Sequence, residues 1–206
     1  MNKTLTLLSS AFLLAGASCA FAASSTDLTV TGTITPAACT PSLSNGGLVD
    51  NGKISAKDLN PTQNTELGKH PLQLTVACDA STQFALNPID NRAGTASTSG
   101  WFGLGLTDAN EKLGFVYVAV RNALADGQPA SAISSEDEGL TWESTGWTIA
   151  GVLLSVGSAS DSSAPIAVKD LTMDFEVQTF IAPANNLTLT DEVDMDGSAT
   201  FEMKYL

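Results

Sequence analysis

Gly197-Ser-Ala-Thr-Phe-Glu-Met-Lys-Tyr-Leu206 is the stretch that decides the fold. Ala199, Phe201, Met203 and Tyr205 alternate with Ser198, Thr200, Glu202 and Lys204. A period of two puts the first set on one face of a β-strand and the second on the other. The sequence stops at Leu206, so no later hairpin is expected to pair with the strand's second edge. An apolar strand with an open edge is a liability unless something covers it. The expectation is a domain whose last strand borders a gap, and the rest of the chain is read for what fills it.

Residues 1–22 read as a secretory signal. Lys3 gives the positive start, Leu5 to Ala17 an apolar run too short to cross a bilayer, and Ala20-Phe21-Ala22 the cleavage site. The alternative is lipid anchoring through Cys19, but Gly16-Ala17-Ser18 lacks the bulky aliphatic expected before such a cysteine. Cleavage leaves 184 of the 206 residues, enough for one β-sandwich or barrel with a full core. No other stretch is long and apolar enough for a membrane span, which predicts a soluble exported protein. Cleavage also leaves two cysteines, Cys39 and Cys78, and an even pair in an exported chain reads as one disulfide. Losing Lys3 takes the formal charge from −13 to −14, and a charge of that sign repels phosphate. Nucleic acid and anionic membranes are therefore poor partners, and the acidic coat reads as solubilising.

Upstream, Leu28, Val30, Gly32 and Ile34 alternate with threonines from Asp27 to Thr35, another extended segment with one apolar face. Pro36 breaks it. From Thr40 to Gln63, glycines and prolines predict loops, with short strands at Leu48-Val49 and Ile54. Leu72, Leu74, Val76 and Cys78 share one face of a strand whose cysteine looks into the core, where Cys39 can meet it. Phe84 and Leu86 continue that period, Asn87 to Gly100 reads as an exposed turn region, and Phe102, Leu104 and Leu106 alternate again. Leu113 to Val120 is apolar on both faces, as a central strand is, and Asp126 to Gly139, polar and containing Glu136-Asp137-Glu138, reads as a solvated loop. Two strands are expected around Trp142, Trp147 and Ile149 to Val156; Leu171 to Ile181 is the longest alternation. No 3.6-residue apolar period and no internal repeat is present, so the fold expected is an all-β sandwich.

No residue pattern stands out for catalysis. The one histidine, His70, reads as a surface turn residue before a strand, and with two cysteines in a disulfide zinc and copper lack ligands. Glu192-Val-Asp-Met-Asp-Gly197 has a faint likeness to a calcium loop, but Met203 stands where the bidentate glutamate belongs. The acids are too scattered to single out a glycosidase pair. Trp101, Trp142 and Trp147 could stack on sugars, although core packing is the commoner fate of tryptophan in a sandwich. The expectation is no enzyme, no metal and no cofactor.

The two ends suit each other: an extended segment with one apolar face, and a sandwich with a groove beside its last strand. Burying four apolar side chains is worth roughly 6–12 kcal/mol gross at about 1.5–3 kcal/mol each. A domain is stable by about 5–15 kcal/mol, so the filler decides whether the domain persists. Filling a neighbour's groove gives a heterologous contact and an open filament.

Val30-Thr-Gly-Thr-Ile-Thr-Pro-Ala-Ala-Cys39, the in-phase strand ending at Cys78 and the C-terminal alternation with penultimate Tyr205 resemble a chaperone–usher pilin. Phe102-Gly-Leu-Gly-Leu106 and Gly114-Phe-Val-Tyr117, with the ending from Gly197, are similar more narrowly to the β-fimbrial major-subunit family, which is largely uncharacterised. The resemblance implies an incomplete immunoglobulin-like (pilin) β-sandwich over 37–206, with an N-terminal donor strand over 23–36. It implies a periplasmic chaperone that lends a strand, an outer-membrane usher, other pilin subunits as partners, and a cell-surface fimbrium supporting adhesion. By position, Leu28, Val30, Gly32 and Ile34 would form the donor face, with Gly32 passing a crowded part of the groove. Ala199, Phe201, Met203 and Tyr205 would line the acceptor and chaperone-binding strand, and basic chaperone residues would grip the Leu206 carboxylate. The glycine such pilins carry about fourteen residues from the end is replaced by Val193, which leaves the start of the last strand open. The rival class is a secreted monomeric carbohydrate-binding sandwich or a tip adhesin using Trp101 and its neighbours. A two-domain adhesin should be longer and lack a donor tail.

Overall fold

A computed structural model of the chain describes Thr31 and residues 38–206; the tail face of Leu28, Val30, Gly32 and Ile34 lies outside the described residues. Between 38 and 206 the protein is all-β, with three short 3₁₀ turns and no α-helix among the described residues. Its strands are β1 (Cys39–Leu43), β2 (Thr65–Thr82), β3 (Phe84–Asp90), β4 (Phe102–Gly103), β5 (Gly114–Ala125), β6 (Gln128–Ser135), β7 (Glu143–Ser144), β8 (Trp147–Thr148), β9 (Leu153–Ser158), β10 (Val168–Ile181) and β11 (Ala199–Tyr205).

The strands form one antiparallel sheet in the order β1-β2-β10-β5-β6-β9-β3-β11, with β4 and β8 added to β5 and β7 to β6. This sheet curls until its end strands, β1 and β11, face each other. Its middle is the β2–β10–β5 layer. Leu171, Met173, Phe175 and Val177 of β10 pair with Val76, Leu74, Leu72 and His70 of β2 on one side, and with Ala125, Ala123, Val120 and Val118 of β5 on the other. These inward side chains meet Phe84 and Leu86 of β3 and Leu154 and Val156 of β9 in one buried cluster. The sheet passes from β5 to β6 through a tight hairpin, where Asp126 (φ 50°) and Gly127 (φ 76°) turn the chain left-handed. On the far side β3 and β9 meet only at Leu86 and Leu154, reinforced by the Ser155 hydroxyl donating to the Phe84 carbonyl at 2.6 Å.

Glycine is required where β5 crosses β10. A Cβ on Gly114 would collide with the Phe180 carbonyl oxygen, and one on Gly103 with the carbonyl of Arg92 and the Thr95 hydroxyl. The disulfide joins Cys39 to Cys78 at directly opposed positions of β1 and β2.

Several local expectations are corrected. Residues 48–55 form no strand; they connect 3₁₀ turns at Ser44–Gly47 and Ala56–Asp58. Asn45 (φ 52°), Gly46 (φ 60°) and Gly47 (φ 75°) bend the chain off the sheet, which ends β1 after five residues. His70 is no surface turn residue: β2 starts at Thr65, and the half-buried imidazole meets Asn51 at 3.1 Å. The stretch after Leu86 stays in sheet to Asp90, with Pro88 buried inside a strand and paired opposite Phe201. A proline is tolerated there because β3 makes no ladder pair with β9 at Pro88, so its missing N–H removes no ladder bond, and its carbonyl on that side accepts from the Gly151 amide at 2.8 Å.

Candidate functional site

β11 forms as the alternation requires: Phe201 and Met203 turn inward and pack on the core, while Thr200, Glu202 and Lys204 face solvent. All seven residues pair with β3, from Ala199 opposite Asp90 to Tyr205 opposite Phe84. On the other edge no strand pairs with β11 among the described residues. Although it adjoins the core, none of its residues is buried, whereas β3 beside it is mostly buried.

The facing strand, β1, touches β11 at one end only. The Cys39 amide donates to the Tyr205 hydroxyl at 3.0 Å, closing the seam there. Beyond Leu43 the left-handed turn carries the chain away, and the seam opens into a groove. Its first part, about 420 Å³, lies between Leu43–Val49 and the segment from Met195 to Phe201. The floor there is Leu72 of β2, Phe102 of β4, Val116 and Val118 of β5, and Phe175 and Val177 of β10. Phe201 leans over this floor with its ring 5.6 Å from that of Phe175. The second part, about 580 Å³, continues between residues 49–59 and 189–195 over Leu67, Leu113 and Ile181. Val49, Asn51 and Met195 line both parts, so the groove is continuous.

Each lip is fixed by a few polar bonds. On the β1 side, the Asn51 amide donates to the buried Thr179 hydroxyl at 3.1 Å and its carbonyl oxygen meets His70. On the β11 side, residues 187–198 alternate like a strand, with Leu187, Leu189, Val193 and Met195 half-buried, yet belong to no strand. Glu111 holds one end of that segment, accepting from the Thr188 amide and hydroxyl. Those Thr188 bonds, with one from Thr107, hold the Glu111 carboxyl below its ordinary range. At the other end both carboxylate oxygens of Asp196 accept from Arg92 at 2.8 Å. That guanidinium lowers the Asp196 carboxyl, and Asp196 in turn raises Arg92. Glu192 crosses the mouth of the groove to Lys53 at 2.9 Å, an exposed pair of little energetic weight. Of the faint calcium-loop residues, Glu192 thus spends its carboxylate on Lys53 and Asp196 on Arg92.

The predicted acceptor residues separate into three roles. Ala199 and Phe201 line the groove, Met203 packs below it, and Tyr205 pins its closed end. Leu206 lies past the ladder, its amide donating to the Gln83 carbonyl at 3.2 Å. Cys39 and Cys78 anchor the opposite lip. Sequence reasoning missed that lip: Leu43, Val49 and Asn51 carry no periodic signal, and only the Asn-Gly-Gly at 45–47 marks a chain leaving its sheet.

A family model described as a protein of unknown function (DUF1120) matches residues 28–101, from the tail's apolar face through β3 to Trp101. The chain is similar to Uncharacterized protein YhcF of Escherichia coli (strain K12), at 26% identity over 241 residues, covering 100% of this chain and 99% of that protein. It is also similar to Protein GltF of the same organism, at 26% identity over 227 residues and 88% of each chain.

Proposed function

We propose that this chain is a structural fimbrial subunit, an immunoglobulin-like sandwich one strand short. It is exported through the periplasm and polymerises by donor-strand exchange into a cell-surface fimbrium that supports adhesion. The observation that carries the reading is the continuous apolar groove along the edge of β11 that no strand pairs among the described residues, opposite β1. An extended segment with one apolar face would meet the free backbone groups of β11 and bury its side chains on Leu72, Phe175 and Val177. The tail from Leu28 to Ile34 has that pattern, and the family match begins at Leu28, inside it. Before assembly, a periplasmic chaperone fills the same groove with a strand of its own, and an outer-membrane usher exchanges it for the next subunit's tail. A monomeric carbohydrate-binding sandwich has no use for such a gap.

Deleting residues 23–35 should leave the chaperone complex intact and stop polymer growth in cells carrying the chaperone and usher. Normal fibre ladders from the truncated subunit would rule out tail donation. Tyr205→Ser should reduce the yield of chaperone complex in a pull-down, because the closed end of the groove loses its hydrogen bond to Cys39. Unchanged co-purification would remove Tyr205 from the acceptor strand.

A further inference from the structure

The three tryptophans differ in how they are used. Trp101 packs edge-on against Tyr117 at 4.7 Å, and Trp142 donates its indole N–H to the Gly139 carbonyl at 3.1 Å. Trp147, on β8, is 50% exposed, and its indole N–H has no partner among the described residues. It borders a cleft of about 260 Å³ between β6, β7, β8 and the start of β9. The backbone at Trp147 is held by the Thr145 hydroxyl, which accepts from its amide at 3.3 Å and donates to its carbonyl at 2.8 Å.

Polar side chains elsewhere in this region are satisfied: Ser135, Asp137 and Thr141 bond one another. In the cleft Thr145 is bonded to the Trp147 backbone, while Ser134 and the exposed Glu136, Glu143 and Ser144 line it with side chains that have no hydrogen-bond or ion-pair partner among the described residues. Thr148 lines it too. It is only 3% exposed, and a buried hydroxyl with no partner is a rarity that asks for an explanation.

We propose that this cleft binds one uncharged hexose-type sugar ring. A pyranose has an apolar face of C–H groups, which suits the electron-rich face of an exposed indole, and a rim of hydroxyls. Those hydroxyls can donate to Glu136 and Glu143 and exchange hydrogen bonds with Ser134 and Ser144. The cleft is small beside the roughly 300–1,000 Å³ of sites for drug-sized ligands, which fits a single ring. Two carboxylates exclude acidic sugars, and an apolar ligand would strip them of water with nothing in return. An organic cation would find one aromatic face where such ligands are usually enclosed by several, and would leave the hydroxyls unused. The site lies on its own surface, so this inference does not rest on the fimbrial reading.

The chain of residues 23–206, produced with its disulfide formed, is titrated while the Trp147 indole resonance is followed by NMR. The probes are the methyl glycosides of glucose, galactose, mannose and N-acetylglucosamine, with N-acetylneuraminic acid and tetramethylammonium as controls. At least one neutral sugar should give a saturable shift with a dissociation constant on the order of 1 mM. Trp147→Ala should weaken it about tenfold, the size of one aromatic contact, as read from a Thr148 amide signal. Glu143→Gln, at an exposed position whose side chain has no partner among the described residues, should weaken it about fivefold, the size of one hydrogen bond. The proposal is overturned by no saturable shift with any neutral sugar, or by equal binding in both variants. Preference for either charged control overturns it too. So does a shift that depends on protein concentration alone, which would make the cleft a contact between copies.

Discussion

β10 and β11 are written in the same alphabet. Leu-Thr-Met-Asp-Phe-Glu-Val in the first and Ala-Thr-Phe-Glu-Met-Lys-Tyr in the second both alternate apolar and polar residues strictly. β10 is paired on both edges, by β2 and β5, and its Leu171, Met173 and Phe175 are at most 2% exposed. Among the described residues β11 is paired by β3 alone, and its Phe201 and Met203, pointing into the same cluster, are only half-buried. Alternation states which face a side chain takes. How dry that face becomes depends on the neighbours, and β11 lacks one. An edge of this kind, with an apolar floor beside it, is what a borrowed strand requires.

The largest effect tests the lip that faces β11. Replacing both Cys39 and Cys78 by serine opens a 39-residue loop and should cost about 4 kcal/mol in urea unfolding. A cost near zero would mean that β1 holds its place without the bond, and that the seam is not shaped by it. The next pair compares the two strands directly. Met173→Ala should cost about 3 kcal/mol, as truncation in a closed core does. Met203→Ala, at a site water still reaches, should cost about 1 kcal/mol in the free subunit. The gap between them should narrow once a donor peptide of residues 27–35 is bound. Equal costs in the free subunit would abolish the distinction drawn between the strands.

The smallest effect lies in the loop that the end of β11 touches, where Lys204 Nζ donates to the Glu138 carbonyl at 3.5 Å. Bonds from the Thr141 hydroxyl and amide, and from Ser135, lower the Asp137 carboxyl from 3.8 to about 2. A group whose folded value is depressed adds stability above its ordinary value and loses it as pH falls through the folded one. The loop from Ser135 to Thr141 should therefore hold at pH 4 and loosen only toward pH 2, with the Thr141 amide resonance reporting it. A midpoint near 4 would show that the loop does not grip this carboxylate. Asp137→Asn should give the loosened spectrum at neutral pH.

Much of the fold was legible because strands with one wet face announce themselves. The runs at 72–78, 113–120, 171–181 and 199–205 appear as strands, and Cys39 meets Cys78. β6 escaped: Gln128 to Ser135 is small and polar with no apolar alternation, yet it forms a strand with Ala132, Ile133 and Ser135 buried, so the stretch from Asp126 to Gly139 is no solvated loop. Residues 187–195 carry a strand's pattern without a strand's pairing, because Glu111 and Arg92 hold them where no ladder partner runs alongside. The loop at 48–55 went the other way: its aliphatics suggested strands, but the left-handed turn at 45–47 had already taken the chain off the sheet.

The amino-acid sequence by itself determined an all-β chain, the inward face of each long strand, the cysteine partners and an acidic surface, since each follows from local period or residue count. Only the tertiary structure decided which strands end the sheet, that β1 and β11 meet at Cys39 and Tyr205 and part beyond, and that an apolar groove runs between them. The reason is physical: a side chain's face is set by its neighbours two residues away, whereas a missing neighbour is a property of segments more than a hundred residues apart, visible only once the sheet has curled round.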